Sequence, residues 1–184
     1  MISPQLLCAI VFGCTAVPSH AEEIVDAVLL YKNICIASNG DLLKGEQLAI
    51  ANGFSIDPSD SGRRAYTRGG ADFSMPFVTF KPAGSEANRS AIDICQVFGS
   101  TDRMSEFDAY AQSQGLREIP KEEILGDFSD QNYVRAFVSN ECTAPRNGSK
   151  CFFVEALGDP PVNGRFTGAF RFGINSPHSM LEEE

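Results

Sequence analysis

Histidine is scarce in this chain, and its scarcity excludes much enzyme chemistry. Only two of the 184 residues are histidine, and one of them, His20, lies in a segment that we expect to be removed. The other, His178, is near the C-terminus, so a Ser-His-Asp or Cys-His site would require this tail to fold back. Too few histidines also disfavour a histidine-based zinc site. We therefore predict no catalytic residue and no metal ligand.

Cofactor motifs and basic residues are also lacking. The chain contains no Walker loop, no Rossmann glycine fingerprint and no Cys-x-x-Cys pair, so no cofactor is expected. Its 15 Lys and Arg residues stand against 24 Asp and Glu residues, and the formal net charge is −9. Because nucleic-acid binding depends on a basic surface, this balance excludes nucleic acid as the expected partner.

The N-terminal residues 1–21 are predicted to be a signal peptide. Residues 6–12 form an apolar run, Pro18 breaks it, and the small-residue sequence ending at Ala21 fits a cleavage site. The apolar run is too short to span a bilayer well, so no transmembrane segment is expected after cleavage. The mature chain is then exported, as a periplasmic or a secreted protein. We expect residues 22–175 to form one domain and residues 176–184 to form a flexible acidic tail.

A lipid anchor is the second interpretation of the same segment. Cys14 follows Val11-Phe12-Gly13, which resembles a bacterial lipobox. Cleavage before Glu22 and lipid attachment at Cys14 are therefore the two alternatives for the mature N-terminus.

Four cysteines remain after cleavage at Ala21, an even number that suits an oxidising compartment. They allow three pairings, and we expect Cys35 to bond Cys95 and Cys142 to bond Cys151. The second pair encloses a turn-rich loop between two strand-like runs. The first pair would join an N-terminal helix to the middle of a sheet.

That sheet is predicted to be organised around residues 91–98. The run is short and rich in β-branched and aromatic residues. Alternation places Ile92 and Ile94 on one side, with Cys95 and Val97 on the other, as in a strand that is covered on both faces.

Three helices and five further strands complete the predicted α+β fold. The helices are expected at residues 22–34, at 41–52 with Asp41 as N-cap and Gly53 as stop, and from a cap at Ser100 or Thr101 to Gly115. Leu43, Ile50 and Phe54 share one side of the second helix, and this side is expected to pack. The other strands are expected at residues 65–68, 73–80, 132–139, 151–157 and 165–173. We predict an antiparallel sheet of five to six strands, about three helices mainly on one face, and two disulfides.

Three arginines and a tyrosine are concentrated in a glycine-flanked stretch, residues 63–70. The planar guanidinium group suits carboxylates and phosphates, and tyrosine can add a stacking face. We predict a ligand-binding site for an anionic envelope ligand, such as a cell-wall carboxylate or a lipid phosphate. Its residues are Arg63, Arg64, Tyr66 and Arg68. The alternative is that these arginines pair with the protein's own carboxylates.

The chain also resembles a group of known proteins in its arrangement of small motifs. The motifs are Tyr31-x-x-x-Cys35, then Gly40-Asp41, then Ala49-x-x-x-Gly53-Phe54, and later Cys95 in a strand that precedes a helix. This arrangement is similar to that of small exported proteobacterial proteins of unassigned activity. The resemblance implies a periplasmic or secreted, disulfide-bonded domain and carries no catalytic residue.

Two functions follow from these observations. The first is a non-enzymatic exported domain that binds a ligand or a protein partner in the periplasm or cell envelope, which includes inhibitor and immunity-type roles. The alternative is a carboxylate-dependent hydrolase of envelope glycans or peptides, which needs two carboxylates facing each other across a groove. Asp93 draws attention for such chemistry because it lies within an apolar strand, although a carboxylate at the sheet margin would also fit.

Overall fold

The described part of this chain forms an eight-stranded antiparallel sheet with helices on one face. The computed structural model describes residues 25–57, 64–68, 76–84, 92–120, 132–141 and 152–175. The helical elements are α1 (Ala27–Tyr31), which continues as a π-helical turn (Lys32–Ile36), α2 (Leu42–Ala51) and α3 (Met104–Ser113). The strands are β1 (Ser55–Ile56), β2 (Arg64–Thr67), β3 (Phe77–Lys81), β4 (Ile92–Thr101), β5 (Arg117–Ile119), β6 (Tyr133–Val138), β7 (Phe152–Val162) and β8 (Arg165–Asn175).

The strands are arranged in the order β1-β2-β3-β4-β8-β7-β6-β5. The predicted α+β class, the antiparallel sheet and the three helices are confirmed, but the predicted number of strands is wrong. The two additional strands are β1 and β5, of two and three residues, which form the edges of the sheet. Strands this short carry no periodic hydrophobic signal, and the sequence therefore did not reveal them.

The central strand lies where it was predicted. β4 pairs with β3 on one side and with β8 on the other. Ile92 and Ile94 are buried on one face, while Cys95 and Val97 are buried on the face that the helices cover. A strand with apolar groups on both sides is thus covered on both sides.

Aromatic rings fill the core between the helices and the sheet. The rings of Tyr31, Phe107 and Phe170, from α1, α3 and β8, lie with centroids 5.5 to 5.9 Å apart. The Tyr31 hydroxyl donates a hydrogen bond to the Arg171 carbonyl oxygen at 3.2 Å, so this buried polar atom is satisfied. This contact fixes α1 against the middle of the sheet.

A disulfide joins Cys35, in the π-helical turn, to Cys95 in β4, with a Cα–Cα distance of 5.4 Å. The predicted pairing of these two cysteines is confirmed, and both residues are buried. The linkage is consistent with an oxidising compartment. Cys142 and Cys151 lie outside the described residues, as do the predicted signal peptide and the acidic tail, so these stay predictions.

Helix α2 begins and ends as predicted but packs through a different side. The Asp41 carboxylate accepts a hydrogen bond from the Lys44 amide at 3.0 Å, and Gly53 has a φ of 83° just beyond the C-cap. The expected packing side is wrong for Leu43 and Ile50, which are 58% and 59% exposed, whereas Phe54 is buried in the core. The helix instead lies on the sheet through Gly45 and Ala49, whose small size permits a close approach.

The other two helices also differ at their predicted ends. α1 begins at Ala27, where Asp26 accepts hydrogen bonds from two amides of the first turn. β4 continues through Thr101, so α3 begins only at Met104, and its end before Gly115 is confirmed. Val28 of α1 and Ala111 of α3 are buried in the core between the helices and the sheet.

Candidate functional site

The predicted arginine site lies in and beside β2, next to α2. Arg64 forms an ion pair with Glu46 at 2.6 Å. Tyr66 is 4% exposed and packs edge-on against the Phe80 ring at 5.5 Å. Burial and the neighbouring Glu46 carboxylate raise the pKa of Tyr66, so this phenol stays protonated. Arg63 lies outside the described residues.

Arg68 completes the described part of this site. Its guanidinium donates to the Asn52 carbonyl oxygen at the C-terminal end of α2, with one contact at 3.1 Å, and lies over the Phe54 ring at 4.9 Å. A cation at this position is favoured by the helix dipole. Arg64, Tyr66 and Arg68 thus contact groups of the protein itself, and binding of an anionic ligand by them stays a prediction.

A row of polar side chains crosses the sheet face opposite the helices. Glu155, Arg171, Gln96 and Thr79 occupy directly paired positions on β7, β8, β4 and β3. Glu155 and Arg171 form an ion pair at 2.9 Å, with side chains 3% and 11% exposed. Burial raises the pKa of Glu155 to about 7, and the guanidinium of Arg171 limits the rise. This pair is a structural ion pair within the sheet.

Two carboxylates meet at one arginine in a second ion-pair cluster. Arg135 on β6 contacts Glu118 at 2.8 Å and Asp108 of α3 at 3.3 Å. Burial raises the pKa of Asp108, while Arg135 opposes the rise. An arginine between the two carboxylates gives an ion-pair network, whereas a hydrolase needs the two groups to face a substrate. Asp93, in turn, accepts a hydrogen bond from the Ala83 amide at 2.8 Å. These contacts do not support the hydrolase alternative, which stays an untested prediction.

The end of the β7–β8 hairpin is an exposed feature of the described surface. β6 begins its pairing with β7 at Gly158, and β4 ends its pairing with β8 at Phe166. The seven residues 159–165 extend beyond both neighbouring strands, and all of them are exposed. We call residues 159–165 the hairpin tip. At a strand rise of 3.3 Å per residue, it projects by about 10 Å.

The conformation of the hairpin tip is fixed by its own sequence. Asn163 and Gly164 have φ values of 51° and 78°, as a type I′ turn requires at both central positions. Val162 pairs with Arg165 across the turn. Between Asp159 and Val162 the register shifts, so that two prolines oppose the single residue Phe166. The prolines restrict φ further, and the tip therefore has little conformational entropy left to lose on binding.

The base of the hairpin is anchored in the core. Phe166 is fully buried, and its ring lies 5.3 Å from those of Tyr133 and Phe170. At the outer end, Val162 is 69% exposed, the largest value for a large apolar side chain among the described residues. The hairpin therefore holds an apolar group in solvent on a firmly packed base.

Sequence reasoning missed the hairpin tip. The strand predicted at residues 151–157 ends before Pro160-Pro161, and proline does not fit well within a paired strand. The signal that could have revealed the hairpin was Asn163-Gly164 between two strand-like runs, since Asn-Gly is the preferred pair for a two-residue hairpin turn. The prolines are tolerated because no described strand pairs with this part of β7 on its outer side.

Neither metal clusters nor membrane spans are found in the part of the chain that the structure describes. No group of three or more His, Cys, Asp or Glu side chains is placed there to hold a metal ion. None of the described helices is long and apolar enough to cross a bilayer. In comparisons with known proteins, no family model, no curated protein and no solved structure matches this chain.

Proposed function

We propose that this protein is an exported, disulfide-stabilised, non-enzymatic domain that binds a protein partner in the periplasm or cell envelope through its hairpin tip. The observation that carries the proposal is the exposure of Val162 on a hairpin that is already ordered. An exposed apolar side chain on a fixed element suits a binding anchor, because little conformational freedom is lost when the complex forms.

The export part of this proposal has separate support. The Cys35–Cys95 disulfide supports this part, because disulfides form and persist mainly in oxidising environments such as the periplasm or outside the cell. Mass spectrometry of the mature N-terminus tests it directly. Cleavage before Glu22 gives a free α-amine at that residue, whereas lipidation at Cys14 adds the mass of the acyl chains. A protein that retains residues 1–21 in the cytoplasm would contradict export.

Binding through the tip is tested by capture with matched surface variants. Val162→Asp places a charge at the proposed anchor. Ile56→Asp does the same on the edge strand β1, at a side chain that is 61% exposed. The wild type and Ile56→Asp should capture the same partner from an envelope extract, and Val162→Asp should capture at least tenfold less.

Neither substitution lies in the core, so both variants should unfold at the denaturant concentration of the wild type. Capture by Val162→Asp that equals the wild type would remove the hairpin tip from the binding surface. Loss of capture by Ile56→Asp alone would transfer the binding function to the β1 edge.

A further inference from the structure

We infer that the partner presents a cleft about 10 Å deep that encloses the hairpin tip, with an apolar floor for Val162 and an acidic group near Arg165. This inference rests on the proposed function and adds the shape and chemistry of the partner. It makes the protein a steric blocker of that cleft.

The small size of the hairpin tip limits the shape of the partner that it can bind. A stable protein–protein interface buries on the order of 800 Å² on each partner. The hairpin tip is a ribbon only two strands wide, and it contains seven residues in all. A flat partner surface would cover at most one face of the hairpin tip and would bury much less than this area. A partner that covers both strands of the ribbon can approach the required area, and such a partner is concave.

One face of the hairpin tip carries an apolar and a basic side chain. Val162 and Arg165 are directly paired, so their side chains lie on the same face of the ribbon. Both residues are exposed. A partner that offers an apolar contact to Val162 and a carboxylate to Arg165 would bind both side chains within one interface. Asp159 lies on the same face near the base, within 3.4 Å of the Asn132 amide, and places an acidic group at the rim.

The hairpin tip has a fixed conformation before any partner binds. The positive φ values at Asn163 and Gly164 and the paired Val162 and Arg165 hold the ribbon in one shape. Because Phe166 anchors the base in the core, the whole element moves with the sheet. A fixed convex element fits a preformed cavity, whereas a flexible loop suits a surface that reshapes on contact.

Site-specific photo-crosslinking in the full exported chain tests this shape. A benzophenone side chain is placed in separate variants at Pro160 on β7, at Arg165 on β8, at Val162 near the turn and, as control, at Ile56. The probe is irradiated in envelope extract, and the adducts are identified by mass spectrometry. The cleft predicts one and the same protein adduct from Pro160, Arg165 and Val162, and at least tenfold less of it from Ile56.

The other outcomes separate the cleft from the binding function itself. An adduct from Val162 alone would overturn the cleft and leave tip binding intact. A phospholipid adduct at the tip would overturn the cleft and replace the protein partner by a membrane surface. Adducts from Ile56 with none from the three tip positions would overturn both the cleft and the proposed use of the tip.

Discussion

Gly45 of α2 lies so close to Phe80 of β3 that an added Cβ atom would be only 2.5 Å from a carbon of the Phe80 ring. Phe80 is fully buried and packed against Tyr66, so its ring has little room to move away. The position of α2 on the sheet therefore depends on glycine at position 45, which has no side chain.

We predict that Gly45→Ala destabilises the protein by about 1–3 kcal/mol, because the overlap outweighs the gain of about 1 kcal/mol in helix propensity. Urea unfolding measures the change. Gln47→Ala, at an exposed position of the same helix, serves as control and should change stability by less than about 0.5 kcal/mol. A Gly45→Ala variant more stable than the wild type would contradict the close packing of α2.

The buried Glu155–Arg171 pair predicts a stability that depends on pH. The pKa of Glu155 rises from its ordinary value of 4.5 to about 7 on folding, chiefly through burial. Between these values the folded state binds more protons than the unfolded chain, so the free energy of unfolding falls as pH rises. The full displacement corresponds to roughly 3 kcal/mol.

Glu155→Gln keeps the shape of the side chain and removes its titration. Denaturant unfolding at pH 5, 6, 7 and 8 should show the decline in the wild type, and a smaller decline in the variant over the same range. Parallel profiles for the two proteins would show that Glu155 titrates in the same way when folded and unfolded.

The Cys35–Cys95 disulfide is predicted to stabilise the fold by about 4 kcal/mol through the chain entropy of a loop with a sequence separation of 60. Cys35→Ala/Cys95→Ala should lose this amount in chemical unfolding. Because both cysteines are buried, dithiothreitol should reduce the native bond only as fast as the protein opens. Rapid reduction in the absence of denaturant would contradict the buried position.

Non-reducing peptide mapping of the same preparation tests the second predicted disulfide. A peptide that links Cys142 to Cys151 is expected. Free thiols at both positions would contradict the second disulfide and leave Cys35–Cys95 as the one disulfide of the predicted two.

The arginine cluster supports a prediction that separates folding from ligand binding. Arg68→Ala should cost about 1–2 kcal/mol, because it removes charged hydrogen bonds to the Asn52 carbonyl and the contact with the Phe54 ring. Arg64→Ala should cost less than about 1 kcal/mol, because its ion pair with Glu46 is half exposed. Thermal or urea unfolding measures both changes.

Phosphate and acetate serve as the probes for an anionic ligand at this cluster. If Arg64 and Arg68 act only within the fold, neither anion should raise the melting temperature of the wild type relative to chloride at equal ionic strength. A rise in the wild type that is absent from Arg64→Ala would support the predicted anion site instead.

The elements that the sequence predicted well are those with a local chemical cause. β4 could be found because its residues are apolar on both faces, and the end of α2 could be found because Gly53 follows the last helical turn. The packing side of α2 could not be found in this way. The helix contacts the sheet through Gly45 and Ala49, which are too small to give a strong hydrophobic pattern. The larger Leu43 gives the stronger signal in the sequence although it faces solvent.

The candidate sites show a similar division. The sequence identified a cluster of arginines but could not show that α2 would place Glu46 and the Asn52 carbonyl beside them, since this depends on tertiary packing. The hairpin tip carried a local signal in Asn163-Gly164, which the preceding prolines obscured. How far a hairpin projects depends on where its neighbouring strands stop, and the ends of β4 and β6 are not encoded in the hairpin itself.

The tapering of the sheet has a consequence for its behaviour at high concentration. The middle strands β4, β7 and β8 span ten or eleven residues, whereas the marginal strands β1 and β5 span two and three. Edge strands this short offer an incoming chain very few free backbone amide and carbonyl groups. Fibre growth by addition of strands at an edge requires many such groups. In a crowded envelope this domain should therefore resist strand-by-strand polymerisation, even though strands account for a large share of the residues that the structure describes.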